Sequence, residues 1–283
     1  EASFLSGWKR KERWLRGILY LISILLSVLF LIPFVWMVSS SLKSPEQLNR
    51  WPPRWIPDPI QFQNYPEAWG FIPFGRFVIN SFIMCTVNVI GSLLSCSIVA
   101  YGFARLEFPG RHVLFLMVLS TMMMPSFVTI IPRFLLWKWF GALNTLIPLT
   151  VPSFFGAPFH IFLLRQFFMT LPLDLDEAAL IDGANPLVIF TRIILPLSRP
   201  ALATVGVFTF MGSWNNFFGP LLYLRSPDKM TVAVGLRYFQ SVIQPSFHLL
   251  MAASTMALTP VLIVFFVGQK YFVQGIALTG RKG

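Results

Sequence analysis

Charge is missing from most of this chain, and its absence decides what the chain can fold into. Runs without a single Asp, Glu, Lys or Arg cover 17–42, 77–104, 112–132, 139–164, 200–224 and 238–269. A helix that crosses a bilayer needs about 20 apolar residues. Within hydrocarbon the backbone must satisfy its own polar groups, so runs of this length read as helices. The expectation is an all-α integral membrane protein with six transmembrane helices, forming one domain over 1–283. Composition agrees: only 12% of the 283 residues are charged, against about 25% in soluble domains.

The charges that remain are unevenly placed. Lys9, Arg10, Lys11, Arg13 and Arg16 precede the first window. The positive-inside rule therefore puts the N-terminus in the cytoplasm, and six spans put the C-terminus there too. With that orientation 13 basic residues lie inside and 9 outside, so the N-terminal cluster carries most of the signal. The first window reads as a retained span, since it exceeds a normal leader core and no A-x-A-like site follows it. The net charge of +11 does not suggest nucleic acid, because the basic residues flank apolar windows instead of forming one dense face.

Prolines interrupt five windows: Pro33, Pro125, the trio Pro148, Pro152 and Pro158, Pro220, and Pro260. Each removes a backbone donor and predicts a bend. Cys85 and Cys96 are 11 residues apart, about 16 Å on a helix, too far for a disulfide. Two outer segments stand out. Residues 43–76 are rich in Pro, Trp and Arg and suit an extended stretch at headgroup level, and 225–237 form a shorter polar loop.

The segment from Leu171 to Pro196 holds Asp174, Asp176, Glu177 and Asp182, four of the chain's 11 acids. Asp174 is placed to cap a helix, with Glu177 completing a capping box. Gly183 is placed to end that helix in a left-handed turn. Asn185 then caps a second helix starting at Pro186, which Pro196 limits. The acidic first turn argues against a DNA-binding helix-turn-helix, since it repels phosphate. Asp174 and Asp176 also fit, weakly, the acidic metal pair of a membrane-embedded glycosyltransferase.

Glu177-Ala178-Ala179, then Gly183, then Ile193-x-Leu195-Pro196 at their spacing resembles the EAA loop of ATP-binding-cassette (ABC) importer permeases. Asn64-Tyr65-x-Glu67-Ala68, Trp214-Asn215-Asn216-Phe217 and the tail Gly275-x5-Gly280-Arg281-Lys282-Gly283 extend the resemblance to the maltose-type carbohydrate permeases, in particular the smaller six-helix partner. The resemblance implies a type I ABC importer permease fold in a bacterial or archaeal plasma membrane. It implies a coupling loop at about 170–198, where Glu177 is the charged contact to an ATPase subunit, Ala178 and Ala179 the close-packing surface and Gly183 the turn. A C-terminal tail, 270–283, would extend between two ATPases. Implied partners are a second permease, an ATPase dimer that binds the ATP and Mg, an extracytoplasmic solute-binding protein and a sugar or oligosaccharide. No cofactor is expected in this chain. It has no Gly-Lys dipeptide and so no P-loop.

Thr209, Ser213, Asn216 and Pro220 fall on one face of an uninterrupted helix, near the middle of the fifth window. Polar side chains at that depth face protein or a watery cavity. Thr209, Ser213, Trp214, Asn215 and Asn216 form the candidate translocation path, since an aromatic plane covers a sugar ring while amides bond its hydroxyls. The same pattern also fits hydrogen bonding between helices. His160, Asn80 and Asn88 read as lone structural polar residues. The absence of Lys and Arg in the windows favours a neutral sugar over uronate chains or glycerol phosphate. A stand-alone carrier predicts inverted repeats, and none is evident.

Overall fold

The computed structural model describes residues 2–240 and 246–279, with side chains described for 14–125, 127–240 and 246–270. All regular structure among these residues is helical. Four helices are long and apolar enough to cross a membrane: Trp14–Ser41, Phe74–Arg105, Ile147–Phe168 and Phe247–Lys270. Two further pairs qualify when each is taken as one span. Arg111–Met123 with Phe127–Trp139 is bent by 88°, and Pro186–Leu197 with Arg199–Trp214 by 78°.

Charge-bounded windows misplace several helix ends, for one physical reason. A basic side chain at a helix terminus can lean away from the apolar surface or find carbonyls, so the helix does not stop at the charge. Phe74–Arg105 includes Arg76 and Arg105. The window 139–164 is replaced by Ile147–Phe168, which includes Arg165. That guanidinium lies 4.2 Å from the Phe115 ring centroid and donates to the Phe103 carbonyl. The last helix runs Phe247–Thr279, through Lys270. The prolines also divide into two kinds. Pro33 and Pro260 sit inside unbroken helices, whereas a break at Pro125 separates the two halves of the third region.

Contacts divide the chain into two units, Glu1–Trp69 with Phe239–Met256, and Gly70–Tyr238 with Ala257–Gly283. In the first, the chain leaving the helix Ala2–Ser41 turns sharply and is pinned by Asn64. This buried amide donates to the carbonyls of Ser41 and Lys43, both at 2.9 Å. The Tyr65 hydroxyl meets Ser41 Oγ at 2.8 Å, and Gln61 N–H donates to the Leu42 carbonyl at 2.8 Å. Asn64-Tyr65, singled out in the sequence, is the brace of this turn.

In the second unit, Phe74–Arg105 is the central helix. Its buried residues include a small or polar series, Ser81, Cys85, Asn88, Ser92, Cys96 and Ala100, beside the larger Phe77, Met84 and Tyr101. Its outward residues are large and bare, among them Ile79, Ile83, Ile90, Leu94 and Ile98. Small buried residues beside bare large ones suit lipid, which is as apolar as leucine, so that close backbone approach and interhelical bonds help hold the bundle. A Cβ on Gly91 would stand 2.8 Å from the Phe154 ring. Beside it, Ser95 donates to the Ser153 carbonyl at 2.9 Å and Ser92 meets His160 Nδ1 at 3.0 Å.

Candidate functional site

The acidic loop folds as a hairpin of two helical segments. The first helix is Asp174–Ile181, and its start differs from the sequence reading. Leu173 is the N-cap, and no side chain caps the helix. The turn closes through backbone alone, with Asp176 and Glu177 N–H both donating to the Leu173 carbonyl. Asp174 is the first helical residue instead of the cap. Its charge, with those of Asp176 and Glu177, still lies in the first turn, where the helix dipole favours acids.

The C-terminal end closes as the sequence suggests. Gly183 has φ +81°, its N–H donates to Leu180 and the Ala184 N–H to Ala179, the paired bonds of a Schellman turn. Asn185 Oδ1 then accepts from Val188 N–H at 2.9 Å and opens the second segment at Pro186. Pro196 stands one residue before the end of this segment, at Leu197. A π turn over Phe190–Ile194 widens the ladder, and helix continues from Leu195 to Leu197. A wide turn of this kind re-spaces the hydrogen bonds where proline lacks a donor.

The hairpin is fixed to the membrane helices by charge and by packing. Arg105, at the end of the central helix and only 2% exposed, pairs with Asp176 at 3.4 Å. The same guanidinium donates to the carbonyls of Phe168 and Leu171, both at 2.8 Å. Ala179, Ile189, Phe190 and Ile194 enter one core with Tyr101, Phe115, Leu164, Phe168 and Val205, and the Phe190 and Tyr101 rings lie 5.0 Å apart. Ala179 therefore packs into this chain. Ala178 and Glu177 lie on the exposed side. The Glu177 carboxylate takes no hydrogen bond or ion pair among the described residues.

Around Glu177 the surface is unexpectedly apolar. Ile181 is 88% exposed and Leu187 68% exposed, with Leu173 and Leu180 also bare. Bare apolar groups clustered in a water-facing loop mark a surface meant to be covered. The sequence reading missed both these residues and the Arg105–Asp176 pair. The usable signal was Arg105 itself, a lone cation closing an apolar window near a loop rich in acids.

The second candidate region lies at the end of the helix Arg199–Trp214. The one-face reading of Thr209, Ser213, Asn216 and Pro220 assumed an uninterrupted helix, and the helix stops at Trp214. Asn216 Oδ1 accepts from Gly219 N–H at 3.0 Å, opening the short helix Phe218–Tyr223. The amide's ability to replace a turn bond is what breaks the helix. Ser213 is buried and accepts from Asn88 Nδ2 at 3.0 Å. Trp214 is also buried, its indole donating to the Ala257 carbonyl at 3.1 Å and its ring stacked on Phe210. Thr209 Oγ1 and Asn88 Oδ1 are buried without partners among the described residues. Asn215 alone is exposed, bonded only to its own turn at Met211. Asn80 donates to the Asp228 and Met230 carbonyls. Asp176 faces Arg105, and the described residues hold no cluster of His, Cys, Asp or Glu fit for a metal ion. The tail residues Gly280 to Gly283 lie outside the described residues.

Bent apolar helices joined by interhelical bonds, with a hairpin showing an unpaired acid and bare apolar side chains, are those of a helical membrane protein. The chain belongs to the family of binding-protein-dependent transport system inner membrane components, whose model matches residues 94–278. It is 36% identical to the diacetylchitobiose uptake system permease protein NgcG of Streptomyces coelicolor, over 92% of this chain and 86% of that one. It is 34% identical to the arabinooligosaccharides transport system permease protein AraQ of Bacillus subtilis, over 94% and 95%. Among solved structures it matches a chain of a bacterial ABC transporter involved in alginate import. The TM-score there is 0.80 at 26% identity, covering 91% of this chain and 97% of that chain. The fold is that of an ABC importer permease, and the chain is a permease subunit.

Proposed function

We propose that this chain is the smaller of two permeases in an importer of neutral oligosaccharides, docked to its ATPase through Glu177 and the hairpin around it. In this reading the bent pair Arg111–Met123 with Phe127–Trp139, and the helix Arg199–Trp214 continued by Phe218–Tyr223, complete six spans, with both termini cytoplasmic and Pro186–Leu197 left to the hairpin. A second permease completes the path, an ATPase dimer binds ATP and Mg, and an extracytoplasmic binding protein delivers the sugar. Relatives named for diacetylchitobiose and arabinooligosaccharide transport support the substrate class. So does the lack of any charge between Arg76 and Arg105 or between Arg199 and Arg225. Asn215, Asn216 and Thr209 are assigned to the path, with Ser213 and Trp214 shaping its wall.

The observation that carries the docking assignment is the outward, unpaired Glu177 carboxylate on a helix anchored from behind by Arg105 and Ala179. Because no capping bond involves Glu177, Glu177→Gln removes a charge without opening the helix. In the complex reconstituted with ATPase, second permease and binding protein, Glu177→Gln should preserve assembly and basal ATP hydrolysis. Stimulation by loaded binding protein should fall about tenfold, the worth of one charge-assisted contact of about 1.4 kcal/mol. Full stimulation in this variant and in Gly183→Ala, which strains the left-handed turn by about 1–2 kcal/mol, overturns the assignment.

A further inference from the structure

The turn that follows the first span holds a lysine with no acid partner among the described residues. Lys43 is only 2% exposed. Its ammonium sits 4.1 Å from the centroid of the Trp36 ring and makes no ion pair among the described residues. A buried cation is costly unless something compensates its lost water, and one aromatic face does so only in part. Burial alone holds the amine below the usual lysine range.

Lys43 lines a small cleft with Gln47, Arg50, Arg54, Ile56 and Asp58. Three cations thus face one acid. Arg50 and Arg54 are exposed and pair with no acid among the described residues. The cleft has a volume of about 20 Å³, room for roughly one water-sized atom. That admits a single oxygen, not a whole free anion. The walls are set in advance. Ser44 and Gln47 form a reciprocal capping box on the helix Pro45–Leu48, Gln47 Nε2 donates to the Asp58 carbonyl, and Ser39 Oγ donates to the Trp55 carbonyl. Trp55 in turn meets Trp36 edge-to-face at 5.1 Å.

The segment that forms the cleft also bares apolar side chains. Trp51, Ile56, Ile60 and Phe62 are all bare, and tryptophan beside arginine is the composition of the bilayer headgroup level. We propose that this cleft receives one phosphate oxygen of an anionic phospholipid. Lys43 serves as the buried point charge for one phosphate oxygen, Arg50 and Arg54 close on the others, and Trp51 and Ile56 seat in the interface. Inorganic phosphate shares the chemistry but lacks the attachment that would place one oxygen in so narrow a cleft while the aromatic rim is buried.

The test uses the assembled transporter in nanodiscs that offer phosphatidylglycerol and phosphatidylcholine equally, with lipid retained on the complex measured by native mass spectrometry. Wild type should retain phosphatidylglycerol preferentially, and inorganic phosphate in excess should not displace it. Arg50→Gln and Arg54→Gln, at exposed positions, should each weaken retention about fivefold. Lys43→Met should abolish the preference. Because that variant can also loosen the turn, the two arginine variants decide. Equal retention of the two lipids, or undiminished preference in both arginine variants, overturns the proposal. Displacement by inorganic phosphate assigns the cleft to a free anion and overturns the lipid.

Discussion

The hairpin at Asp174–Leu197 and the helix break at Asn215–Phe217 are both interruptions built from short polar residues, yet they treat those residues oppositely. At the hairpin, Gly183 and Asn185 satisfy the backbone, so Glu177 is left free to face outward. At the break, the polar groups themselves do the satisfying: Asn216 Oδ1 takes the Gly219 N–H in the first turn of the next helix, and Ser213 is bound by Asn88. The solvent explains the difference. An unpaired carboxylate in water keeps its hydration, whereas an unpaired amide in hydrocarbon forfeits a hydrogen bond. An unused polar group therefore points to function at the loop, and a used one within the membrane points first to packing.

The sharpest way to break this comparison is to make the hairpin depend on a polar pair, as the membrane does. Its one such pair is Arg105–Asp176. Asp176→Ala leaves a guanidinium that is 2% exposed with its two carbonyl acceptors but no counter-charge, a loss of at most about 3–5 kcal/mol for a buried pair. Asp176 itself is 15% exposed, so the lower end is expected. The variant should unfold at lower temperature and copurify poorly with the ATPase, while Glu177→Ala stays within about 0.5 kcal/mol of wild type. Arg105→Met with Asp176→Leu should recover part of the loss, since no lone charge is left. If Asp176→Ala melts with wild type, the pair does not anchor the hairpin.

Much of this was legible in the charge pattern. Six apolar windows predicted an all-helical membrane chain, and Gly183, Asn185 and Pro186 carried enough local chemistry to fix the second half of the hairpin. What was not legible depends on partners distant in sequence. Whether Asp174 or Leu173 caps a helix depends on the turn at Leu171-Pro172-Leu173 and on Arg105 drawing Asp176 inward. Whether Thr209, Ser213, Asn216 and Pro220 share a face depends on whether an asparagine amide competes with the backbone. Periodicity assumes that it does not. Exposure of Ile181 and Leu187 was hidden for the opposite reason, since an apolar residue in a sequence gives no sign that it faces out.

A smaller effect probes the membrane side. Ser213→Ala leaves the Asn88 amide, already carrying an unpartnered Oδ1, without its acceptor at a buried site. The expected loss is about 1–3 kcal/mol of stability, seen as a lower melting temperature of the complex, with the affinity for sugar unchanged. If Ser213→Ala instead retains stability and raises the KM for uptake, Ser213 faces the path, and the contrast between the two regions fails there.

The smallest structural effect belongs to the most informative residue of the break. Asn215 is the polar side chain there that remains exposed, and its amide bonds only the Met211 carbonyl one turn back. Such a bond replaces nothing that the backbone lacks, because the Asn215 N–H already reaches the same carbonyl at 3.1 Å. Asn215→Ala should therefore shift stability by less than about 0.5 kcal/mol. If Asn215 meets sugar hydroxyls, losing that contact should raise the KM of uptake about five- to tenfold, the worth of one hydrogen bond of about 1–1.4 kcal/mol. Vmax and stimulated ATP hydrolysis at saturating sugar should hold, because the hairpin proposed to dock the ATPase is untouched. Unchanged KM with unchanged stability would leave Asn215 idle, and the membrane break would then have no free polar group to set beside Glu177.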